Sequence, residues 1–494
     1  MLIRQKWQLL FFASLLTLTL WNCSPIENMV RKGEVMLEFS VDTLRFDTVF
    51  TELGSATRIL KVYNRYDERI RIDKISLVNN AGGKFRMNVD GFASNEVVDI
   101  EIEGNDSLYI FSEVTIDPFM NNQPFVIESS IRFETNDGEQ SVLLEAWGQN
   151  AIYIPNRFGK GTIERYEPNT TVVFKDTLPY VVYGELQVFG TLILEAGARV
   201  YVHGGIVKDD VVGARNDGVI VIAGGGKIVS EGTKDQPVII QGDRLEDAFD
   251  DEAGQWIGVY IAQNSLGNSF EHTIIRNSQF GIAVDSASEL TALNSQFYNT
   301  LGPGVFGIHA FIEMENCLIY NNGGNSVQLT HGGDYNFDHC TIASYGVDAS
   351  SVALSNFICY VQGNLGCEVG GVYRMNANFR NSILFGSRDE EVILIDAIQN
   401  GREGFNYNFE NCIVKAGEDL LEEYPDFYDF CKNCPQDVDR NTPLFLDVNE
   451  DNYRLDSLSI AIGAGIPISE IPLDLEGKVR DTEMPDVGCF EKED

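Results

Sequence analysis

One octapeptide pattern is written six times between Phe270 and Ala416. The copies read FEHTIIRN (from Phe270), ALNSQFYN (Ala292), MENCLIYN (Met314), FDHCTIAS (Phe337), FRNSILFG (Phe379) and FENCIVKA (Phe409). Their fourth positions, Thr273, Ser295, Cys317, Cys340, Ser382 and Cys412, stand 22, 22, 23, 42 and 30 residues apart. A unit this short cannot bury its own apolar side, so the units must stack into a solenoid with one continuous core. The first position holds Phe, Ala or Met, and the sixth holds Ile275, Phe297, Ile319, Ile342, Leu384 and Val414. With the strand period of two, these predict two apolar columns facing inward. The third position, His272, Asn294, Asn316, His339, Asn381 and Asn411, predicts an amide ladder at a corner, bonded from coil to coil at the strand spacing of about 4.8 Å. Both histidines are expected to belong to that ladder rather than to chemistry. The fourth position takes only Thr, Ser or Cys, so it is small and inward. Cys317 and Cys340 then lie in adjacent coils as buried thiols, because in-register parallel side chains rarely meet disulfide torsions.

Upstream, the chain is punctuated by glycine: GELQVFGTLILEAGARVYVHGG (from Gly184), GVIVIAGGGKIVSEGTKDQPVIIQG (from Gly218) and GQWIGVYI (from Gly254). This rhythm, with Gly190, Thr191, Leu192, Ile193 and Leu194 as an early coil, resembles the right-handed parallel β-helix proteins of the pectate-lyase-like class. The resemblance implies a β-helix over 155–470. Farther on, TPLFLD (from Thr442), NYRLDSLSIAIGAG (from Asn452), DLEGKVR (from Asp474) and PDVGCFE (from Pro485) resemble the terminal segment of secreted bacterial β-helix proteins. Residues 471–494 are therefore expected to cap the open end, where unpaired strand edges would aggregate. Between the two, the acidic, aromatic stretch Glu418 to Asn441 is expected to be a lateral excursion carrying a short helix.

Residues 35–150 lack the octapeptide and alternate in short strands, such as TRILKVYN (from Thr57), SLYIFSEVTI (from Ser107) and SVLLEAWG (from Ser141). Their spacing suits an immunoglobulin-like β-sandwich, and the fold class is all-β throughout. Ahead of it, Arg4 and Lys6 precede an apolar run from Leu9 to Leu20, too short to span a bilayer, and then Cys23. Leu20, Trp21, Asn22 and Cys23 resemble a bacterial lipoprotein signal. That resemblance implies removal of residues 1–22, acylation of Cys23, a tether over 23–34 and attachment to a membrane of the cell envelope, the outer membrane foremost. Cleavage without a lipid, or a retained apolar anchor, are the alternatives. Aspartate followed by Ser or Thr at Asp42, Asp47, Asp106, Asp176, Asp285 and Asp456 resembles the O-glycosylation sequence of Bacteroidetes envelopes and points to such a source.

Acidic residues outnumber basic ones 74 to 36, a net charge of −38, with no basic run, which argues against nucleic acid as a partner. A location outside the cytoplasm implies oxidising conditions, so Cys359 with Cys367 and Cys431 with Cys434 are expected disulfides. For the second pair, a redox site or half a zinc site are alternatives.

Chemistry has three candidate places. The insert Gly242 to Gln255 carries Asp243, Asp247, Asp250, Asp251 and Glu252, a set that a calcium ion would organise, against the alternative of a solvated acidic loop. His331 and Asp334 flank two glycines, and a histidine beside a carboxylate can act as general base. Asp389, Glu390 and Glu391 follow Arg388 as an acidic corner suited to an inverting hydrolase. No pectinase-type aspartate pair stands out. The leading expectation is thus a non-catalytic glycan-binding or structural scaffold with polysaccharide or an envelope protein as partner. The alternative is a calcium-assisted polysaccharide lyase or glycoside hydrolase.

Overall fold

The computed structural model describes residues 35–492 except 52–53, 81–82, 118–123, 156–162, 210–212, 364–365 and 398–403. Cys23 and residues 1–22, the expected signal segment, lie outside the described residues. The chain divides into two compact units, Met1–Gln149 and Asn150–Asp494.

The first unit is a β-sandwich of two five-stranded sheets. Alternation builds it: along Ser107–Ile116 every second residue from Leu108 to Ile116 is buried. Both sheets send side chains into one core, in which Phe46 meets Phe85 edge-on at 5.6 Å. The pairing of Thr43–Phe50 with Gly138–Gln149 is parallel, and the other described pairings of the unit are antiparallel.

The second unit is a parallel β-helix. Its strands form a ten-stranded and a 17-stranded sheet, running from Ile152–Ile154 to Cys431–Lys432. The coils therefore stop well before residue 470. The octapeptide behaves as its columns require. Ile275, Phe297 and Ile319 are register partners, and Phe337, Phe379 and Phe409 stack at 4.9 and 5.0 Å. All six first-position and six sixth-position side chains are buried. The six fourth-position groups are also fully buried, and each donates to the carbonyl two residues back, from Thr273 to Glu271 at 3.0 Å through Cys412 to Glu410 at 3.4 Å. Cys317 and Cys340 are free, buried thiols.

Every third-position residue has φ between +41° and +52°, as His272, Asn294, Asn316, His339, Asn381 and Asn411 all show. That left-handed conformation explains the restriction to Asn and His, whose short polar side chains tolerate it. The amides also form the expected ladder: Asn316 Nδ2 donates to Asn294 Oδ1 at 3.0 Å, and Asn381 Nδ2 lies 2.8 Å from His339 Nε2. His339 is buried, and desolvation with Arg480 nearby lowers its pKa to about 2. A histidine whose folded pKa falls below the unfolded 6.5 contributes stability that is complete above pH 6.5 and is lost as pH falls. For His339 the loss between pH 6 and pH 4 is about 2 to 3 kcal/mol. Replacing it with the ladder's own residue, His339→Asn, should flatten the acid limb of a urea-denaturation series by that amount; an unchanged acid limb would show that another group controls it.

The two end segments exchange the roles expected of them. The stretch after the last octapeptide is the end cap: helix Glu418–Glu423 and the 3-10 turn Phe427–Phe430 extend the internal core with Leu420 and Phe427. Phe427 lies 5.7 Å from the Phe409 ring and 6.1 Å from that of Tyr407. Cys431 and Cys434 form a disulfide, with Cα atoms 5.4 Å apart, beside the last rung, where Phe409–Glu410 pairs with Cys431–Lys432. Residues 442–492 instead run as a strap over the outer face of the ten-stranded sheet. Leu318, Tyr320 and Ala343 pack on Tyr453, Leu475 and Phe490; Ile383, Phe385 and Ile413 pack on Leu444, Leu455 and Val487. The outward fifth and seventh positions of the later copies are mostly apolar, and an apolar outer face has to be covered. Ladder amides hold the strap: Asn316, Asn381 and Asn411 donate to the carbonyls of Leu473, Ile466 and Ala464 at 2.7–2.8 Å.

Candidate functional site

The acidic insert follows the strand Val238–Gly242, at a corner where parallel register aligns three coils. Val182 pairs with Val202, and Val202 with Gly242, so Tyr183, His203 and Asp243 follow one another up the helix. His203 Nδ1 lies 2.6 Å from Asp243 Oδ2, and its ring stacks on Tyr183 at 4.1 Å. With Nδ1 turned to the carboxylate, Nε2 is the nitrogen left to accept a proton. Asp217, buried beneath, accepts from the backbone N–H of Gly205 at 3.0 Å. Burial, then the charges of Asp243 and Asp217, raise the Tyr183 pKa, which keeps that phenol protonated. Sequence reading found Asp243 but missed His203 and Tyr183; the available signal was their common offset from three strands in register.

The other carboxylates of the insert are distributed rather than gathered. Asp250 pairs with Arg276 at 2.9 Å, Asp251 accepts from Asn299 Nδ2 at 3.2 Å, and Glu246 pairs with Arg244 at 3.1 Å. Glu252 is exposed, and the side chain of Asp247 lies outside the described residues. Among the described residues no three His, Cys, Asp or Glu side chains are grouped to hold a metal ion. Repulsion is eased at Asp243, Glu246, Asp250 and Asp251 by separate neighbouring side chains, and among the described residues Asp243, Asp250, Asp251 and Glu252 are not gathered at one point.

The structure also separates His331 from Asp334. His331 is buried with φ +65°, edge-on to Tyr373 at 4.5 Å and 6.2 Å from the His309 ring, and burial followed by His309 lowers its pKa. Asp334 is exposed and accepts from Asn376 at 3.2 Å. Period two within Val327–Asp338, together with the turn at His331, sends the two side chains to different surroundings. The corner after Arg388 is structural. Glu391 is fully buried and accepts from the Ser344 hydroxyl, from Ser351 N and Oγ at 2.8 and 2.7 Å, and from Arg388 N at 2.9 Å. Glu390 accepts from Leu420 N at 2.9 Å, at the start of the end-cap helix, and Asp389 is exposed. Cys359 and Cys367 sit on the two arms of one hairpin, opposite Val369 and Gln362 and not opposite each other; their side chains lie outside the described residues.

A polar flank emerges on the outer face of the 17-stranded sheet. Asp334, Asn376 and Asn406 form one column, with Nδ2 to Oδ1 bonds of 3.2 and 2.6 Å, and Asn336, Asn378 and Asn408 form the next, with Asn378 on Asn336 at 3.1 Å. Beyond them, Arg380 pairs with Asp338 and Lys432 with Glu410. The signal was legible: each of the Phe337, Phe379 and Phe409 copies has Asn one residue before it and Asp or Asn three before.

A family model described as right handed beta helix region matches residues 248–342. No curated protein matches the sequence. Solved structures similar to parts of the chain include the catalytic unit of a GH87 α-1,3-glucanase from Streptomyces thermodiastaticus strain HF3-3 (7% identity, TM-score 0.22, 72% of this chain and 74% of that one). A family 123 glycoside hydrolase from Clostridium perfringens has 8% identity and a TM-score of 0.18, over 37% of this chain and 44% of that one. The E. coli chaperone DraB has 10% identity and a TM-score of 0.17, over 25% of this chain and 57% of that one. The chain thus spans little more than half of the chaperone and less than half of the family 123 enzyme. Likenesses this distant say nothing of the chain's activity.

Proposed function

We propose that this protein is a non-catalytic glycan-binding scaffold of the cell envelope. The observation that carries the reading is the amide flank of Asp334, Asn376 and Asn406 beside Asn336, Asn378 and Asn408. Side-chain amides on successive rungs offer donors and acceptors at a fixed spacing of about 4.8 Å, suited to the hydroxyls of an extended polysaccharide. The dispersal of Glu246, Asp250 and Asp251 onto separate partners supports binding over catalysis, since a hydrolase or lyase needs its carboxylates and base converged on one bond. Anchoring is proposed through a lipid on Cys23, which a lipid-sized mass increment on that residue in membrane-derived protein checks.

Affinity electrophoresis of residues 24–494 through a panel of neutral and acidic polysaccharides tests the reading. At least one glycan should retard the protein without being cleaved, and Asn376→Ala with Asn378→Ala should weaken that retardation about tenfold. Retardation unchanged by the double variant would remove the flank from the proposal. A second reading rests on the His203–Asp243 pair, which has the geometry of an oriented general base. Release of oligosaccharide products, abolished by His203→Asn, would favour that enzyme over the scaffold.

A further inference from the structure

Between the outer face of the ten-stranded sheet and the strap lies a cleft of about 330 Å³. Lys234 stands on one wall, Arg454 and Glu476 on the other, and Asn294, Gln296 and Tyr453 line the space between them. Lys234, Arg454 and Glu476 also border a second cleft of about 670 Å³, which adds Lys478 and Lys492. The two form one groove.

Its charge runs against that of the molecule. The chain carries twice as many acidic as basic residues, yet the groove gathers four cations, and its carboxylates are already engaged. Glu476 is held by Arg454, with Nε at 3.1 Å; Asp451 accepts from Asn321 at 2.7 Å; and Glu491 lies 3.3 Å from Arg480. Lys234 is exposed and has no ion pair among the described residues, so its charge is uncompensated at the mouth. A second, independent observation points inward. Tyr453 is 1% exposed, and its hydroxyl has no hydrogen-bond partner among the described residues. A buried hydroxyl left unsatisfied costs about 1–3 kcal/mol, which a ligand hydroxyl reaching it would recover.

We propose that this groove binds an acidic oligosaccharide, with a sugar carboxylate on Lys234, ring hydroxyls on Asn294, Gln296 and the Tyr453 hydroxyl, and the chain continuing toward Lys492. Cations supply the charge selection, and half-buried amides and a buried phenol read the hydroxyls. The proposal names a ligand class within the glycan-binding reading and places it on a different surface from the amide flank.

Titration calorimetry with a uronic-acid tetrasaccharide and its neutral hexose counterpart separates the two. Binding of the acidic ligand should weaken with added salt, and its Kd should rise about tenfold or more in Lys234→Glu. Tyr453→Phe, which removes only the unpartnered hydroxyl, should raise the Kd without lowering the melting temperature. The double variant of Asn376 and Asn378 should bind the acidic ligand as the wild type does. Equal affinity for both ligands, or a Kd indifferent to Lys234→Glu, overturns the groove. Loss of acidic-ligand binding in the amide-flank variant alone also overturns it while sparing the broader reading, and failure to bind any glycan overturns both.

Discussion

Phe427→Ala should destabilise the β-helix by about 3–5 kcal/mol and make the protein self-associate more strongly than the wild type as concentration rises. Phe427 is fully buried where the column of Phe337, Phe379 and Phe409 would otherwise end. Truncation leaves a cavity against Phe409 and Tyr407, which is the packing term. It also loosens the segment that holds Cys431–Lys432 on the last rung, uncovering the strand Phe405–Glu410 and its unpaired backbone groups. Urea denaturation followed by tryptophan fluorescence reads the first effect, and light scattering across a concentration series reads the second. Asp429→Ala, at an exposed position of the same turn, is the control, expected to change both much less. A Phe427→Ala protein with unaltered stability and no association would show that the end of the column is sealed by other groups.

Arg480→Met should release the strap at a cost of about 3–5 kcal/mol. Arg480 is 4% exposed; its Nη2 donates to Asn316 Oδ1 at 2.8 Å and to the Gly488 carbonyl at 3.0 Å, and its Nη1 lies 3.3 Å from Glu491. Methionine keeps most of the volume but strands Glu491, whose side chain is 9% exposed, without its cation, and takes from Asn316 Oδ1 the donor that Arg480 supplies. Proteolysis within 442–492 should become fast while the coils stay resistant. Adding Glu491→Gln removes the stranded charge and should restore part of the loss, a recovery that simple loss of packing would not show. Equal damage in single and double variants would mean that Arg480 acts through its stem alone.

The β-helix was legible because its constraints are local and repeated. A left-handed corner admits few residues, a fully buried rung admits only small ones, and both leave columns that spacing alone reveals. What joins distant parts of the chain was not legible. Nothing in Glu418 to Asn441 says that Phe427 continues the Phe409 column, and nothing in residues 442–492 says whether they close an end or lie along a side. The answer lay in Leu318, Tyr320, Ile383 and Phe385, outward positions whose apolar character requires a cover. The site followed the same rule. Asp243 was visible as part of an acidic run, but its partner His203 lies 40 residues earlier, joined to it only through strand register. Conversely, Glu391 was read as surface chemistry because it stands among charged neighbours, whereas two serine hydroxyls and two backbone N–H groups make it an internal brace.

The strap also sets an order of assembly. Leu318, Tyr320, Ile383 and Phe385 are synthesised well before Leu444, Tyr453, Val487 and Phe490, the residues that shield them. Until that later stretch arrives, a growing column presents a greasy side to its surroundings, and a chain interrupted at residue 441 would keep that side permanently bare. Synthesis of the strap and solubility of the β-helix are thereby tied together, so a chaperone or protease recognising apolar surface would sort copies lacking the strap from copies that carry it.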